Sequence, residues 1–395
     1  MEFNTEIVQS GQGESFRRVL DTQGYWVHTD RGRMIDTMSG NGAYIWGYSH
    51  AGLIDAINAQ LHSVQFVRGK KSETTDIIQS VNQDLMRLSG TTGITWAVSG
   101  SDGVEAGVEM SVQYWQSVDA SRNRILAFSP GYHGCTALGK ALRGAHVNEK
   151  IMLTPAPKWF TKKEHSMSES QCLNALDQML NHNASIGTVI MESIPWIEGI
   201  YTWSAEWWTR VRDICDQHNV LLMIDDVFGG FGKVGPAVSH TAYGIQPDII
   251  VIGKALTGGY VPLSCALSQD KVTQVLNKND WWHGHTWQPQ MLGIACARWV
   301  LNNFDADLVN HIHNQQCELF DRMQNQQLIQ GYRGLGLTKE LMLTRSVSKI
   351  DMDQAGLCNN QYAPGQLLQI ITPVTADQTY WQELEQRIIT MMEHK

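Results

Sequence analysis

The sequence has little charge, and what it has is mostly acidic. Charged residues make up 17% of its 395 residues, and 30 basic against 39 acidic side chains give a net charge of −9. Nucleic-acid backbones are bound by clustered lysine and arginine, so this balance argues against a nucleic-acid partner. It also gives no reason to expect docking on an anionic membrane.

The cysteines lack a pairing pattern, and the chain lacks long apolar runs. Seven cysteines are scattered without a Cys-x-x-Cys pair, which favours reduced thiols and hence a cytoplasmic protein. The first residues, Met1-Glu2-Phe3-Asn4, have neither the basic nor the apolar part of a signal peptide. No run approaches the roughly 20 apolar residues that span a bilayer, so we expect no membrane segment.

What the sequence does contain is an alternation of short apolar runs and helical patterns. Runs that are apolar throughout are typical of strands covered on both faces. In Ser204–Asn219, Trp208, Val211 and Ile214 fall on one helical face after Ser204 as N-cap. This alternation predicts an α/β domain around a mostly parallel sheet. The candidate strands are Gly93–Val98, Arg124–Phe128, Ile186–Met191, Val220–Ile224, Asp248–Ile252 and Pro262–Leu267.

The length of the chain predicts more than one compact unit. The alternating pattern covers residues 55–300, which we expect to form a large domain. Residues 1–54 and 301–395 instead mix short strands, turns and helices. We expect these two flanks to form one smaller α+β domain together.

Two turns that follow predicted strands suit a ring that carries a phosphate. Ser99-Gly100-Ser101 opens a helix, and small residues there let backbone N–H groups face an anion. An ordinary helix cap would use the same residues. Tyr132, in Gly131-Tyr132-His133-Gly134, is placed to lie flat against a ring, although a surface turn is the plainer interpretation of this segment alone.

A pair of carboxylates, Asp225-Asp226, ends the strand 220–224, where α/β proteins bind ligands. One of them is placed to hold a protonated ring nitrogen; a solvated turn or a metal site is the alternative. The following Gly230–Gly235 matches the G-x-G-x-x-G of a dinucleotide loop. It begins several residues beyond the strand and runs into Pro236 rather than a helix, which disfavours a nicotinamide dehydrogenase.

A lysine, Lys254, follows the apolar strand 248–252 after Gly253, with Gly258 and Gly259 a few residues further on. An ammonium group avoids apolar surroundings unless it is paired or used chemically. Partial burial lowers its pKa and frees the amine for Schiff-base formation, whereas a surface lysine is the plainer interpretation. His283 and His285 suggest a metal, but nothing nearby completes a tetrahedral set, so we predict no metal site.

Taken in this order, the segments resemble the class III aminotransferases, a branch of the fold-type I pyridoxal-phosphate (PLP) enzymes. The resemblance begins at Gly24–Asp36, continues at Gly47-Tyr48-Ser49-His50, and includes the 29-residue separation of Asp225 and Lys254. It implies a mostly parallel central sheet with helices on both faces and a homodimer with shared active sites. It also implies transfer of an amino group from an amine or amino acid to a carbonyl acceptor, by a ping-pong Schiff-base mechanism.

The resemblance also assigns roles. Lys254 would hold PLP as a Schiff base, Asp225 would pair with the ring nitrogen, and Tyr132 would stack on the ring, which makes these three the predicted catalytic residues. Val227 would pack on the other ring face, and Thr286 would reach the phosphate of the neighbouring subunit. The predicted cofactor-binding residues are Gly100, Ser101, Tyr132, His133, Glu192, Asp225, Val227, Lys254 and Thr286.

Some positions depart from the family. Ser193 follows Glu192 in place of proline, and Phe228 stands where an amide is frequent. Gln369 aligns with an arginine that binds the donor carboxylate in many members, which puts bidentate carboxylate recognition in question. Tryptophans near the predicted site suggest a pocket lined by aromatic rings, although large aromatics usually just pack. They are Trp196, Trp281, Trp282 and Trp287.

Two branches of the family are represented. His283-Gly284-His285-Thr286 is similar to the ω-amine transaminases, whereas the segment 359–366 is similar to glutamate-1-semialdehyde aminomutase. An aminomutase, or another PLP reaction such as decarboxylation or racemisation, therefore stays an alternative to transamination. A silent scaffold that kept the fold is disfavoured because Lys254 and Asp225 are both present.

Overall fold

A computed structural model describes residues 17–68, 73–155, 167–197, 199–359 and 365–393. The strands, in chain order, are β1 (Val19–Gln23), β2 (Trp26–Thr29), β3 (Gly32–Asp36), β4 (Gly93–Ala97), β5 (Arg124–Ser129), β6 (Ile151–Pro155), β7 (Ile186–Glu192), β8 (Leu221–Asp226), β9 (Ile249–Ile252), β10 (Ser264–Ser268), β11 (Ile329–Arg333), β12 (Thr338–Leu343), β13 (Leu357–Cys358) and β14 (Leu367–Ile371).

The helices lie between these strands and at the end of the chain. In chain order they are the single turn α1 (Ser39–Gly42), then α2 (Ala51–Leu61), α3 (Asp76–Ser89), α4 (Gly100–Val118), α5 (Ala137–Leu142), α6 (Glu169–His182), α7 (Ala205–Gln217), α8 (His240–Tyr243), the 3₁₀ helix Lys254–Thr257, α9 (Asp270–Lys278), α10 (Met291–Asn303), α11 (Ala306–Asn325), α12 (Lys349–Gln354) and α13 (Gln378–Glu393). Within the described ranges, no helix has the length and apolar character needed to cross a membrane.

A seven-stranded sheet in the spatial order β4-β10-β9-β8-β7-β5-β6 forms the centre of the molecule. Strands β6, β5, β7, β8 and β9 pair in parallel, whereas β10 runs antiparallel to both of its neighbours. Every residue of β7, β8 and β9 is buried, because helices cover both faces of the sheet. The expected α/β fold with a mostly parallel sheet is confirmed.

The local predictions hold with small shifts at the ends. All six predicted strands are present, and three of them, β8, β9 and β10, begin one or two residues later than predicted. Helix α7 begins after Ser204, whose side chain accepts a hydrogen bond from the backbone N–H of Trp207, as its N-cap pattern predicts. The edge strand β6 has no counterpart in the prediction, because its run of five residues is short and ends in proline.

The two ends of the chain are joined by hydrogen bonds. Strand β3, near the N-terminus, pairs in parallel with β13, near the C-terminus, in the four-stranded sheet β1-β2-β3-β13. The hydroxyl of Ser39 also donates to the carbonyl of Ile371 in β14 at 2.8 Å. These links support a smaller domain made from both termini, and its limits at residues 1–54 and 301–395 remain a prediction.

Candidate active site

The carboxyl ends of β7, β8 and β9 bring three ionisable side chains to one edge of the central sheet. Glu192 ends β7 directly opposite Asp225 in β8, and Asp225 lies opposite Val251 in β9. Lys254 follows β9 after a single glycine and starts the 3₁₀ helix. Parallel strands end at the same edge, so residues far apart in the sequence converge there.

Asp225 is buried and hydrogen-bonded on both carboxylate oxygens. Its Oδ2 lies 2.9 Å from Nδ1 of His133, and its Oδ1 accepts the N–H of Val227 at 3.1 Å. Burial opposes a charge on His133, but the hydrogen bond and the charge of Asp225 outweigh it and raise the pKa of His133. The hydrogen bonds therefore fix the position of the Asp225 carboxyl group within a buried site.

Asp226, the other carboxylate of the pair, has a different role. It is fully buried, and its oxygens accept hydrogen bonds from the N–H of Ser239 at 2.9 Å and from its hydroxyl at 2.5 Å. Burial raises the pKa of Asp226 to about 6, against these hydrogen bonds. Asp226 thus fixes the turn after β8, and Asp225 is the carboxylate that faces His133.

Glu192 is buried beside this pair. Its Oε2 accepts the backbone N–H of Tyr132 at 2.9 Å, which ties β7 to the turn after β5. Burial raises the pKa of Glu192 to about 8, although His133 opposes the rise. A neutral, protonated Glu192 can donate a hydrogen bond, so this group is suited to contact an oxygen of a ligand.

Lys254 is held in an unusual backbone conformation next to two aromatic rings. Its φ of 47° lies in the left-handed region, which residues with a side chain rarely adopt. Its Nζ lies 4.7 Å from the ring centroids of both Trp196 and Phe228. Burial lowers the pKa of Lys254 to about 8, partly offset by Asp225 and Glu192. The neutral, nucleophilic form of the amine is therefore far more populated near neutral pH than it is for an ordinary exposed lysine.

The N-terminus of α4 forms a concave end lined by small residues. Ser99 caps the helix by accepting the N–H of Asp102, and the N–H groups of the first turn point out of the open end. A Cβ atom at Gly100 would lie 2.8 Å from Cγ1 of Val227, so only glycine lets these elements approach so closely. The Ser101 hydroxyl accepts the N–H of Cys135 at 3.1 Å, which joins the helix to the turn after β5.

These residues fit pyridoxal 5'-phosphate. The α4 terminus offers N–H groups and a helix dipole to a phosphate, and Asp225 offers a carboxylate to a protonated ring nitrogen. Nδ1 of His133 already binds Asp225, and its Nε2 is buried without a hydrogen-bond partner among the described residues. Lys254 supplies a partly neutral amine at the same sheet edge.

The remaining predicted residues are more scattered. Tyr132 is half-buried, and Thr286 is exposed on the segment 279–290 between α9 and α10. Of the four tryptophans expected around the site, Trp196 faces Lys254. Trp281 packs beside His283 instead, and Trp282 and Trp287 are largely exposed in the single chain.

A second buried lysine, Lys233, stands close to the site and has no role in the sequence interpretation. It is fully buried, donates to the carbonyl of Gly230 at 2.7 Å and lies 5.9 Å from the ring centroid of Phe228. Burial, aided by the charge of Lys254, lowers the pKa of Lys233 to about 7. The lysine inside the glycine-rich stretch is the sequence signal that points to it.

That glycine-rich stretch forms a tight turn. The N–H of Phe231 donates to the carbonyl of Ala237, and that of Gly232 to the carbonyl of Pro236. No helix follows it as a dinucleotide loop requires, since the next helix, α8, begins only at His240. Over the described ranges, no three His, Cys, Asp or Glu side chains stand close enough to hold a metal ion.

Gln369, where the family has a carboxylate-binding arginine in many members, is buried in β14. Its amide donates to the backbone carbonyl of Trp196 at 2.6 Å. Residues 360–364, which carry most of the resemblance to the aminomutase branch, lie outside the described residues.

Known proteins share both the sequence pattern and the fold. Residues 7–388 match the family Aminotransferase class-III. The adenosylmethionine-8-amino-7-oxononanoate aminotransferase of Nitratidesulfovibrio vulgaris is 28% identical over 71% of this chain, which spans 56% of that protein's length. The beta-alanine–pyruvate aminotransferase of Pseudomonas aeruginosa is 24% identical over 93% of this chain and 84% of that protein.

A solved structure has the same architecture. The PLP-bound amine transaminase from an uncultivated Pseudomonas species superposes with a TM-score of 0.86 over 99% of this chain and 98% of that chain, at 20% identity. The fold is thus that of the fold-type I PLP enzymes. Within that group, the chain belongs to the class III aminotransferases. The predictions of an aminotransferase and of PLP as its cofactor are confirmed, and the aminomutase alternative is not favoured.

Proposed function

We propose that this chain transfers an amino group from an amine donor to a carbonyl acceptor, with Lys254 as the residue that binds PLP and moves the proton. The observation that carries this proposal is the convergence of Lys254, the Asp225–His133 pair and Glu192 at one sheet edge, beside the α4 terminus. PLP, when bound, supplies a ring that accepts the electrons released as the donor's C–H bond breaks.

Lys254 has the two properties that the reaction requires. Its lowered pKa makes the amine available as a nucleophile and then as a base that takes a proton from the donor carbon and returns it. Its position after Gly253, in a short 3₁₀ helix, fixes the root of the side chain and leaves the Nζ end to move. The flanking rings of Trp196 and Phe228 give the amine apolar neighbours, which favour its neutral form.

The other residues hold the cofactor. Asp225, supported by His133, would keep the ring nitrogen protonated, while Tyr132 and Val227 would pack on the two ring faces. Gly100 and Ser101 would bind the phosphate at the α4 terminus. Glu192 would contact the ring from the end of β7.

The surroundings of Lys254 favour a donor with an apolar group. They disfavour a donor that would place a carboxylate beside Gln369. Trp196 and Phe228 stack with ring centroids 5.2 Å apart and planes 7° apart, and they offer a flat apolar surface to the donor. Gln369 is neutral, and the nearby Glu340 carboxylate is fully buried, which disfavours an anionic group there.

The proposal extends to assembly and location. We propose a homodimer in which Thr286 contacts the phosphate bound by the neighbouring subunit, which is compatible with its exposure in the single chain. All seven cysteines are free thiols, which supports a reducing compartment, and we place the enzyme in the cytoplasm. Residues 55–300 would carry the cofactor, with both chain ends in the smaller domain.

A half-reaction tests the proposal. The purified protein, loaded with PLP and mixed with an apolar amine and no acceptor, should release one carbonyl product per site and leave the cofactor in its amine form. Borohydride reduction before the donor is added should place the cofactor on the peptide that contains Lys254, as located by mass spectrometry.

The chain offers a matched control for this experiment. Lys254→Ala should lose the covalent link and the half-reaction, whereas Lys233→Met, at another buried lysine nearby, should retain the link. A wild-type protein that binds PLP covalently yet releases no carbonyl compound from any amine or amino acid would refute transamination.

A further inference from the structure

Three polar side chains stand side by side on the three-stranded sheet β11-β12-β14. Arg333 lies opposite Glu340, and Glu340 lies opposite Gln369, so all three share one face. Nε of Arg333 donates to Oε2 of Glu340 at 2.8 Å, and Nε2 of Gln369 lies 3.4 Å from Oε1. We call these three residues the polar row.

The polar row binds the backbone of the segment that follows β7. Nε2 of Gln369 donates to the carbonyl of Trp196 at 2.6 Å, and Oε1 of Glu340 accepts the N–H of Ile200 at 3.2 Å. The described part of this segment belongs to no helix or strand, so its buried polar groups need partners from elsewhere. The C-terminal sheet supplies them.

Trp196 links the polar row to the candidate active site. Its carbonyl receives the Gln369 amide, and its ring stacks on Phe228 and lies 4.7 Å from Nζ of Lys254. Aromatic stacking needs a defined ring position, and the ring position depends on the backbone that carries it. A hydrogen bond from Gln369, which is 173 residues from Trp196 in the sequence, therefore fixes the aromatic surface beside Lys254.

The charge distribution indicates that Gln369 makes a contact within the protein and does not bind a substrate carboxylate. Glu340 is fully buried and Gln369 is 3% exposed. The guanidinium of Arg333 already binds Glu340 through Nε and through a second nitrogen. With Arg333 paired to Glu340, the polar row has no net positive charge that would attract a donor carboxylate to Gln369.

We propose that Gln369 is a positioning residue that fixes Trp196, and that it thereby makes the enzyme select donors by their apolar group. The proposal rests on the proposed function, since it concerns the donor side of the same site. It assigns Gln369 a contact within the protein at the position where many members bind a donor carboxylate. Glu340 and Arg333 hold the same segment at Ile200.

The direct test is Gln369→Met, which retains the length of the side chain and removes the amide. Loss of one hydrogen bond to a buried carbonyl should lower kcat/KM for an apolar amine by roughly ten-fold, mainly through KM. The visible circular dichroism band of the bound cofactor should change as well, in the absence of any donor. Trp196→Phe, with Gln369 intact, should reproduce both effects and serves as the second variant if Gln369→Met does not fold.

Gln316→Met is the matched control. Gln316 is also fully buried, and its amide donates to the Thr372 hydroxyl at 2.7 Å, away from Trp196. Gln316→Met should lower thermal stability about as much as Gln369→Met does. It should leave the circular dichroism band and KM at their wild-type values. Equal changes in both variants, or none in Gln369→Met, would overturn the proposal.

Gln369→Arg provides a second, opposite test. A guanidinium can donate to the Trp196 carbonyl and to Glu340 together, so activity with apolar amines should persist and carboxylate-bearing donors should gain little. A gain of more than roughly ten-fold with such a donor would show that the position binds substrate, and would refute the positioning role. A wild-type protein without any half-reaction would instead refute the proposed function, and the dichroism comparison would still decide the role of Gln369.

Discussion

Gly100 shows how one residue without a side chain shapes the candidate site. It begins α4, and the space that a Cβ atom would fill is occupied by Val227, whose Cγ1 would be 2.8 Å away. Val227 is itself fixed because its N–H donates to Asp225. The close approach therefore joins, through direct contacts, the residues proposed to bind the phosphate, one ring face and the ring nitrogen of the cofactor.

Gly100→Ala should weaken PLP binding by roughly ten-fold, the factor that corresponds to about 1.4 kcal/mol. The added methyl group must displace either Val227 or the first turn of α4, because tightly packed interiors do not absorb such an overlap. The dissociation constant for PLP, from absorbance titration of the cofactor-free protein, measures the effect.

A compensating variant makes this prediction specific. Gly100→Ala combined with Val227→Ala removes the overlapping methyl groups and should recover most of the affinity, while Val227→Ala alone should have a small effect. Unchanged binding in Gly100→Ala would mean that the phosphate does not lie against this turn.

At the scale of elements, α4 is fixed on both sides. Glycines let it pack tightly on the sheet: a Cβ atom at Gly107 would lie 2.5 Å from Cε of Met223 in β8. On its outer side, His283 lies 2.7 Å from Glu109 and 3.2 Å from Asp102 through its two ring nitrogens. Asp102 and Glu109 are two turns apart on one helix face, so one imidazolium spans both.

His283→Asn should destabilise the protein by about 1 kcal/mol near pH 7 and by almost nothing at pH 10. The hydrogen bond to Asp102, opposed by burial and aided by Glu109, raises the pKa of His283 to about 9. Because the folded pKa lies above the unfolded value of about 6.5, the stabilisation is complete below that value and disappears as pH rises through about 9.

Chemical denaturation at the two pH values measures this difference. His146→Asn, at an exposed histidine, is the control and should change neither value. A destabilisation of His283→Asn that persists undiminished at pH 10 would indicate packing rather than charge.

Some features of the fold and of the candidate site can be predicted from the sequence, and others cannot. Lys254 and Asp225 directly follow or end apolar strands, so a local pattern places them at the same sheet edge. The polar row is different, because Arg333, Glu340 and Gln369 meet only through strand pairing, and no local pattern encodes that register. For Lys233 the sequence offers only its presence in the glycine-rich stretch, since its burial depends on how the turn after β8 folds back.

The whole molecule is proposed to work as a pair, and mixed dimers test this. If each site combines Lys254 of one subunit with Thr286 of the other, neither Lys254→Ala nor Thr286→Glu should be active alone, the second because its carboxylate repels the phosphate. After the two are unfolded and refolded together, half of the dimers should be mixed. One of the two sites in each mixed dimer then has both native residues, so about a quarter of wild-type activity should return.

The activity that returns after mixing distinguishes active sites shared between two subunits from active sites contained within one subunit. If Thr286 served the site of its own subunit, every site in the mixture would carry one defect and no activity would return. Refolding each variant alone provides the baseline, and size-exclusion chromatography with light scattering confirms the dimer.

The left-handed backbone at Lys254 has a consequence for how such a protein evolves. A chain selected only to fold would place glycine or asparagine at a φ of 47°, and would not bury an amine there. Folding and catalysis therefore make opposite demands on this position. A substitution of Lys254 by glycine or asparagine should therefore increase the stability of the fold. Only selection for the proposed reaction would keep the less stable protein with lysine at this position.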